Sequence, residues 1–268
     1  MRWPATACAS VLGLLLVLTS CTGTTSSATP NPAPLATTPS ASPRRTLNVV
    51  ALGDSVTAGT NCDCTAFPQL YGLELGERDG ADVEVTDEGA GGATSADLLS
   101  ELPDLSKELG KADIVLITIG ANDFSDLSDD LLGSSCGGED HLACTRTAQA
   151  DLRRNLTAIE ARILAIRDGQ PTTILVTGYW NVYEDGDVAD HDYNEDGEAA
   201  SIALTLVANT IIKGTTGESG IRYVDLYSPF KGHSGTHDPT PLLADDGDHP
   251  NAAGHKVIAR ALLAATPG

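Results

Sequence analysis

The chain has 268 residues, with 37 acidic against 16 basic side chains and a formal net charge of −21. That balance excludes nucleic acid as a natural partner, because phosphate contacts need clustered Lys and Arg. It also speaks against a surface that lies flat on anionic headgroups, and fits a solubilising acidic exterior.

In chain order, residues 1–20 read as a secretion signal: Arg2 supplies the positive start, and Val11–Leu18 is an apolar stretch too short to span a bilayer as a helix. Leu18-Thr19-Ser20-Cys21 resembles the lipobox of bacterial lipoproteins, which implies lipidation of Cys21. The other reading is an ordinary secreted chain with a stray cysteine. Residues 21–45 then form a lipidated tether. Of the 24 residues from 22 to 45, 15 are Ser, Thr or Pro and none is acidic. Such a segment buries no core and stays extended, reaching at most about 80 Å at roughly 3.3 Å per residue. The expected location is extracytoplasmic, with membrane contact through the lipid.

Residues 46–268 suit one α/β domain, expected to be a monomer, and show no internal repeat. Leu47–Leu52 predicts a strand, Phe67–Arg78 a helix, Val83–Val85 a short strand, and Ala93–Leu109 a helix. Ile114–Ile119 is continuous enough for a strand buried on both faces. Ala148–Arg167 predicts a long helix, Thr173–Thr177 a strand, Ala199–Ile212 a helix and Tyr223–Leu226 a strand. Ala252–Ala265 closes as a helix, with Pro250 at or near its first turn. Strand–helix alternation of this kind predicts a five-stranded parallel sheet covered by helices on both faces. In such a sheet the site lies beyond the carboxyl ends of the strands.

Four segments sit at those ends: Gly53-Asp54-Ser55, Asp87–Gly92, Gly120-Ala121-Asn122-Asp123 and Asp246-Gly247-Asp248-His249-Pro250. Together they offer what acyl transfer needs. Ser55 is the candidate nucleophile, His249 the general base, and Asp246 the carboxylate that orients the imidazole. Asp245 and Asp248 compete with Asp246, which the register favours. The N–H groups of Ser55 and Gly92 and the amide of Asn122 are the candidate oxyanion donors. Each has a blander use: Ser55 as a helix N-cap, Gly92 and Asn122 as turn residues, His249 as a solvated helix start. Asp54 and Asp123 are expected to brace their loops.

These blocks resemble the SGNH, or GDSL, hydrolases: Gly53-Asp54-Ser55-Val56 is similar to their first block, Asp87–Thr94 to the second, Gly120–Asp123 to the GxND block and Asp246–Pro250 to DxxHP. All four occur in order from about Leu47 to the end. The resemblance implies a flavodoxin-like three-layer α/β/α sandwich and hydrolysis of esters or thioesters without metal or other cofactor. Asp87 where many members have Asn, and Val56 for Leu, depart from the pattern. The expected substrate is a small-molecule, lipid or glycan ester; the alternatives are acyl transfer to an alcohol, or a non-catalytic lipoprotein that binds a glycan or partner.

Four cysteines remain for the domain, and an even number in an oxidising compartment suggests two disulfides. Cys136–Cys144 would close a short loop worth roughly 2.5 kcal/mol; Cys62–Cys64 would pair by default, with cross-pairing as the alternative. Zinc is the less favoured reading of these cysteines. Asp192–Gly197 matches half of an EF-hand loop, but Ala203 stands where the bidentate Glu is required. Tyr179 and Trp180 are candidate substrate-lining residues, with packing as the plainer reading. Ser228–Asp245 is a candidate flap.

Overall fold

The computed structural model describes residues 44–217 and 220–268. The signal segment, Cys21 and nearly all of the tether lie outside them. Five parallel strands, β1 (Thr46–Gly53), β2 (Asp82–Gly89), β3 (Ile114–Thr118), β4 (Thr173–Thr177) and β5 (Arg222–Val224), form one sheet in the order β2-β1-β3-β4-β5. The order reverses between β1 and β3, the switch point where such sheets open a crevice. The expected sheet and its flanking helices are therefore present.

The helices are α1 (Ser55–Ala58), α2 (Phe67–Asp79), α3 (Ser95–Glu101), α4 (Ser106–Leu109), α5 (Ser128–Leu132), α6 (Arg146–Arg167), α7 (Gly186–Asp192), α8 (Glu195–Thr216), α9 (Tyr227–Lys231) and α10 (Ala252–Ala265). Helix α2 packs on α10 and β2, while α6 packs on α3 and α8. The amphipathic spacing explains why: Leu152, Leu156, Ile159 and Ile163 fall on one stripe of α6 and are all buried. Every residue of β3 is buried, as its unbroken apolar run requires.

Several boundaries differ from expectation. Ala93–Leu109 is not one helix; it breaks at Pro103 into α3 and α4, because proline lacks the N–H and crowds the preceding turn. Strand β2 runs on to Gly89, pairing Asp87 with Ala51 and Gly89 with Gly53, so the second glycine-rich loop begins only at Ala90. Helix α8 starts four residues earlier than its apolar pattern and ends four later, since Asn194 caps it through Gly197 N–H at 2.8 Å and acidic residues fill its first turn. Strand β5 stops at Val224. Pro250 lies before Asn251, which is the N-cap of α10. Short helices α1, α5, α7 and α9 were not foreseen. Both disulfides close within their own loops, Cys136–Cys144 and Cys62–Cys64, and cross-pairing is absent.

The end of β1 tolerates no side chain. Gly53 has φ +146°, and a Cβ there would lie 2.0 Å from the Thr118 carbonyl oxygen on β3. Gly53→Ala is expected to lower stability by about 3 kcal/mol, combining backbone strain with overpacking. Urea unfolding followed by circular dichroism measures it; a midpoint unchanged from the parent would contradict this account.

Candidate active site

Ser55 is placed by the residue before it. Asp54 N–H donates to Thr118 O at 3.0 Å, which turns the chain off β1. Its buried carboxylate then accepts Val56 N–H at 3.0 Å, capping α1, and the Thr118 hydroxyl at 3.1 Å. Its second oxygen accepts the Tyr179 hydroxyl. The capping duty considered for Ser55 thus belongs to Asp54. Ser55, first in α1 and half-buried, keeps a hydroxyl with no hydrogen-bond partner among the described residues. Its N–H is one of the helix-end donors without an intrahelical acceptor. Burial raises the Asp54 carboxyl to about 6, against the lowering bonds of Tyr179, Val56 and Thr118.

The Asp246–His249 turn is self-bonded. Asp246 Oδ2 accepts from His249 Nδ1 at 2.7 Å, and Oδ1 accepts the N–H groups of His249 at 3.0 Å and Asp248 at 3.1 Å. Gly247, at φ +70°, makes the turn possible. With Nδ1–H committed to Asp246, the imidazole's Nε2 lone pair is free to take a proton. Asp245 is exposed and Asp248 stands 3.7 Å from Nδ1, so Asp246 is the partner of His249. Burial would raise Asp246, but the Asn61 amide foremost, then the His249 and Asp248 bonds, bring it down to about 2. Asp248 is shifted the other way, upward, chiefly by burial. A bridge between Leu243 and Pro250, with Ala244 N–H on His249 O at 2.8 Å, braces the turn from both sides.

Asn122 opens a short 3-10 helix, Asn122–Leu127, after β3. One of its amide N–H groups donates to Ala93 O at 3.0 Å and so ties this loop to Gly92, which is exposed at φ +78°. Asp123 braces the same junction by accepting Ser95 N–H at 2.8 Å and the Ser95 hydroxyl. A cavity of about 370 Å³ opens beside Ser55, lined by Asn122, Tyr179, Trp180, Tyr183, Glu184 and Asp248 among others, with no lysine or arginine. Gly92 and His249 are not among its lining residues, and no hydrogen bond joins Ser55 to His249 among the described residues. Serine and asparagine therefore stand at the ends of the adjacent strands β1 and β3, and the Asp246–His249 turn reaches them through Asp248 at the cavity and the Asn61 bond, with the serine–histidine contact open.

Tyr179 and Trp180 line the cavity as expected, yet both are fixed by other contacts. Tyr179 braces Asp54, and Trp180 stacks on Phe230 at 4.2 Å between centroids. The wall beyond them is held by Asn181, whose Oδ1 accepts Val182 N–H at 2.9 Å and the hydroxyls of Ser201 at 2.6 Å and Thr205 at 2.9 Å, both on α8. None of residues 228–245 lines the cavity. Phe230, stacked on Trp180, and the buried Lys231, paired with Asp185 at 2.6 Å, anchor the start of that segment. The EF-hand-like stretch is a helix start, with Asn194 as cap and Glu195 and Asp196 in the first turn of α8.

Two features escaped the sequence reading. Asn61 Nδ2 donates to Asp246 Oδ2 at 2.6 Å across 185 positions. His255, read as a packed helix residue and fully buried, has a ring nitrogen within 4.8 Å of both Cys62 and Cys64 sulfurs, although it is nowhere near them in sequence. Its Nδ1 accepts Phe67 N–H at 3.1 Å, which puts the neutral ring's proton on Nε2, and burial keeps it neutral by lowering its pKa to about 4. The two sulfurs are joined to each other. Neither a thiolate nor a free imidazole lone pair is offered to a cation there.

The family described as GDSL-like Lipase/Acylhydrolase matches residues 51–257. No curated protein matches by sequence. Similar solved structures include the lipase Lip_vut3 from a goat rumen metagenome, 21% identical over 83% of this chain and 98% of that one with a TM-score of 0.67. An extracellular lipase from Streptomyces rimosus is 23% identical over 82% and 100%, TM-score 0.60. A catalytic mutant of Axe2, an acetylxylan esterase from Geobacillus stearothermophilus, is 19% identical over 81% and 93%, TM-score 0.57.

The raised Asp54 carboxyl has a thermodynamic consequence. A folded value of about 6 above the ordinary 3.8 means the native state holds the extra proton. The stability tied to this group is full below about pH 4 and is lost as pH rises through 6. Between pH 4 and 6.5, the stability of Asp54→Asn is expected to gain on that of the parent, measured by urea midpoints at each pH. Parallel curves would contradict it.

Proposed function

The chain belongs to the GDSL-like lipase/acylhydrolase family, a group of carboxylic ester hydrolases, and from that premise we propose a serine esterase that works through an acyl-enzyme on Ser55. The observation that carries the reading is the Asp246–His249 pair, made at 2.7 Å in a turn bonded to the loop that follows Ser55.

In this reading Ser55 Oγ attacks the ester carbonyl while its proton passes to His249 Nε2. Asp246 holds Nδ1–H and stabilises the imidazolium. The carbonyl oxygen becomes an oxyanion, received by the Ser55 and Gly92 N–H groups and the second N–H of Asn122. Collapse breaks the C–O bond, and the alcohol leaves with the proton from His249. Water then attacks the acyl-serine with His249 as base, releasing acid and restoring the Ser55 hydroxyl. The open Ser55–His249 contact is of the kind that tightens when substrate and transition state form.

A cavity of about 370 Å³ without basic residues favours short acyl groups on neutral or polar alcohols over anionic substrates. The Axe2 neighbour is an acetylxylan esterase, an activity on a short acyl group. The reading also places the domain outside the cytoplasm, held to a membrane through a lipid on Cys21; the two disulfides support an oxidising compartment.

Ser55→Ala is expected to lower p-nitrophenyl acetate turnover by at least about 10⁴-fold with an unchanged unfolding midpoint. A fluorophosphonate should label the parent at Ser55 and leave the variant unlabelled, read by peptide mass spectrometry. Full turnover in Ser55→Ala would overturn the proposal.

A further inference from the structure

Asn61 belongs to none of the four motif blocks, yet among the described residues it makes the one side-chain bond to Asp246 that comes from outside the Asp246–His249 turn. Of the four hydrogen bonds that the described residues make to that carboxylate, three arise within the turn: the His249 ring and the His249 and Asp248 N–H groups. The fourth, from Asn61 Nδ2 at 2.6 Å, ends on Oδ2, the same oxygen that receives His249 Nδ1. We propose that Asn61 is a positioning residue, a clamp between the loop that follows Ser55 and the carboxylate that orients His249. The proposal rests on the esterase reading above and deepens it.

The geometry makes the connection short. Thr60 N–H bonds back to Ser55 O at 3.0 Å, and Cys62 N–H to Gly59 O at 3.3 Å, so Asn61 sits in a tight turn hung from α1. Its φ of +57° lies in the left-handed region, where asparagine is among the few tolerated side chains. Directly after it the Cys62–Cys64 bridge closes the loop. The bonds within the Asp246–His249 turn fix the imidazole relative to the carboxylate, but they say nothing about where the pair stands relative to Ser55. Asn61 supplies that second reference. A neutral amide suits the task. It orients the oxygen without an ion pair that would compete with the imidazolium, and it keeps the same charge across the pH range of catalysis.

The test uses the purified full chain with p-nitrophenyl acetate. Asn61→Gly deletes the amide while keeping the left-handed backbone free of strain. Asn61→Asp keeps the shape and sets an acceptor against an acceptor. The readouts are kcat, KM, the urea midpoint and the downfield proton resonance of His249 Nδ1–H. Expected are a kcat lowered about 10-fold in Asn61→Gly and about 100-fold in Asn61→Asp, with KM within about twofold. The resonance should shift or broaden while the urea midpoint stays near the parent's. The proposal falls if kcat stays within about twofold in both variants, or if kcat and midpoint drop together with the resonance unmoved, which marks a merely structural role. Should Asn61→Gly not fold, Asn61→Asp decides by the same criteria. Ser55→Ala runs alongside. If it loses turnover while the Asn61 variants do not, the clamp alone is refuted; if it retains turnover, the esterase reading fails.

Discussion

The site depends on one buried carboxylate. Asp54 joins the end of β1 to the end of β3 through Thr118, and to the end of β4 through Tyr179, while capping the short helix that carries Ser55. A carboxylate so enclosed is costly unless it is hydrogen-bonded, and here three side-chain or backbone donors offset part of that cost. The arrangement converts the switch point of the sheet, a property of topology, into a fixed position for one hydroxyl. It also explains Gly53: the turn brings the backbone so close to Thr118 that only hydrogen fits.

The second half of the site is built differently. The Asp246–His249 pair makes most of its bonds within four residues and depends little on the sheet. It is a local device on a long connection after β5, held by the Leu243–Pro250 bridge and by Asp185 N–H on Gly247 O at 2.8 Å. Two devices of independent origin must meet to within a hydrogen bond, and among the described residues the Asn61–Asp246 bond is a side-chain link between them.

What could be read from the sequence follows the range of the interactions. Gly-Asp-Ser, Gly-Ala-Asn-Asp and Asp-Gly-Asp-His were legible because caps and tight turns have local chemistry, and the choice of Asp246 over Asp245 and Asp248 followed from turn register. The strands were legible from unbroken apolar runs, as in β3. Asn61 on Asp246, Tyr179 on Asp54 and His255 beside Cys62 and Cys64 were not, since partners more than a hundred positions apart leave no periodicity behind. The break at Pro103 was legible in principle; the leucine spacing on either side masked it. The added length of β2 came from pairing with β1, which overrides the weak strand pattern of Asp87-Glu88-Gly89.

The Asn181 node gives the molecule a division of labour. Its oxygen gathers Val182, Ser201 and Thr205 and so fastens the far wall of the cavity to α8, whereas Ser55 is fastened to β1 and β3. Recognition and chemistry hang from partly separate supports, joined where Tyr179 holds Asp54 and Asp185 N–H holds Gly247 O. A lineage of such chains can exchange the residues between these two anchors, and with them the molecules it accepts, while the reacting atoms stay where they were.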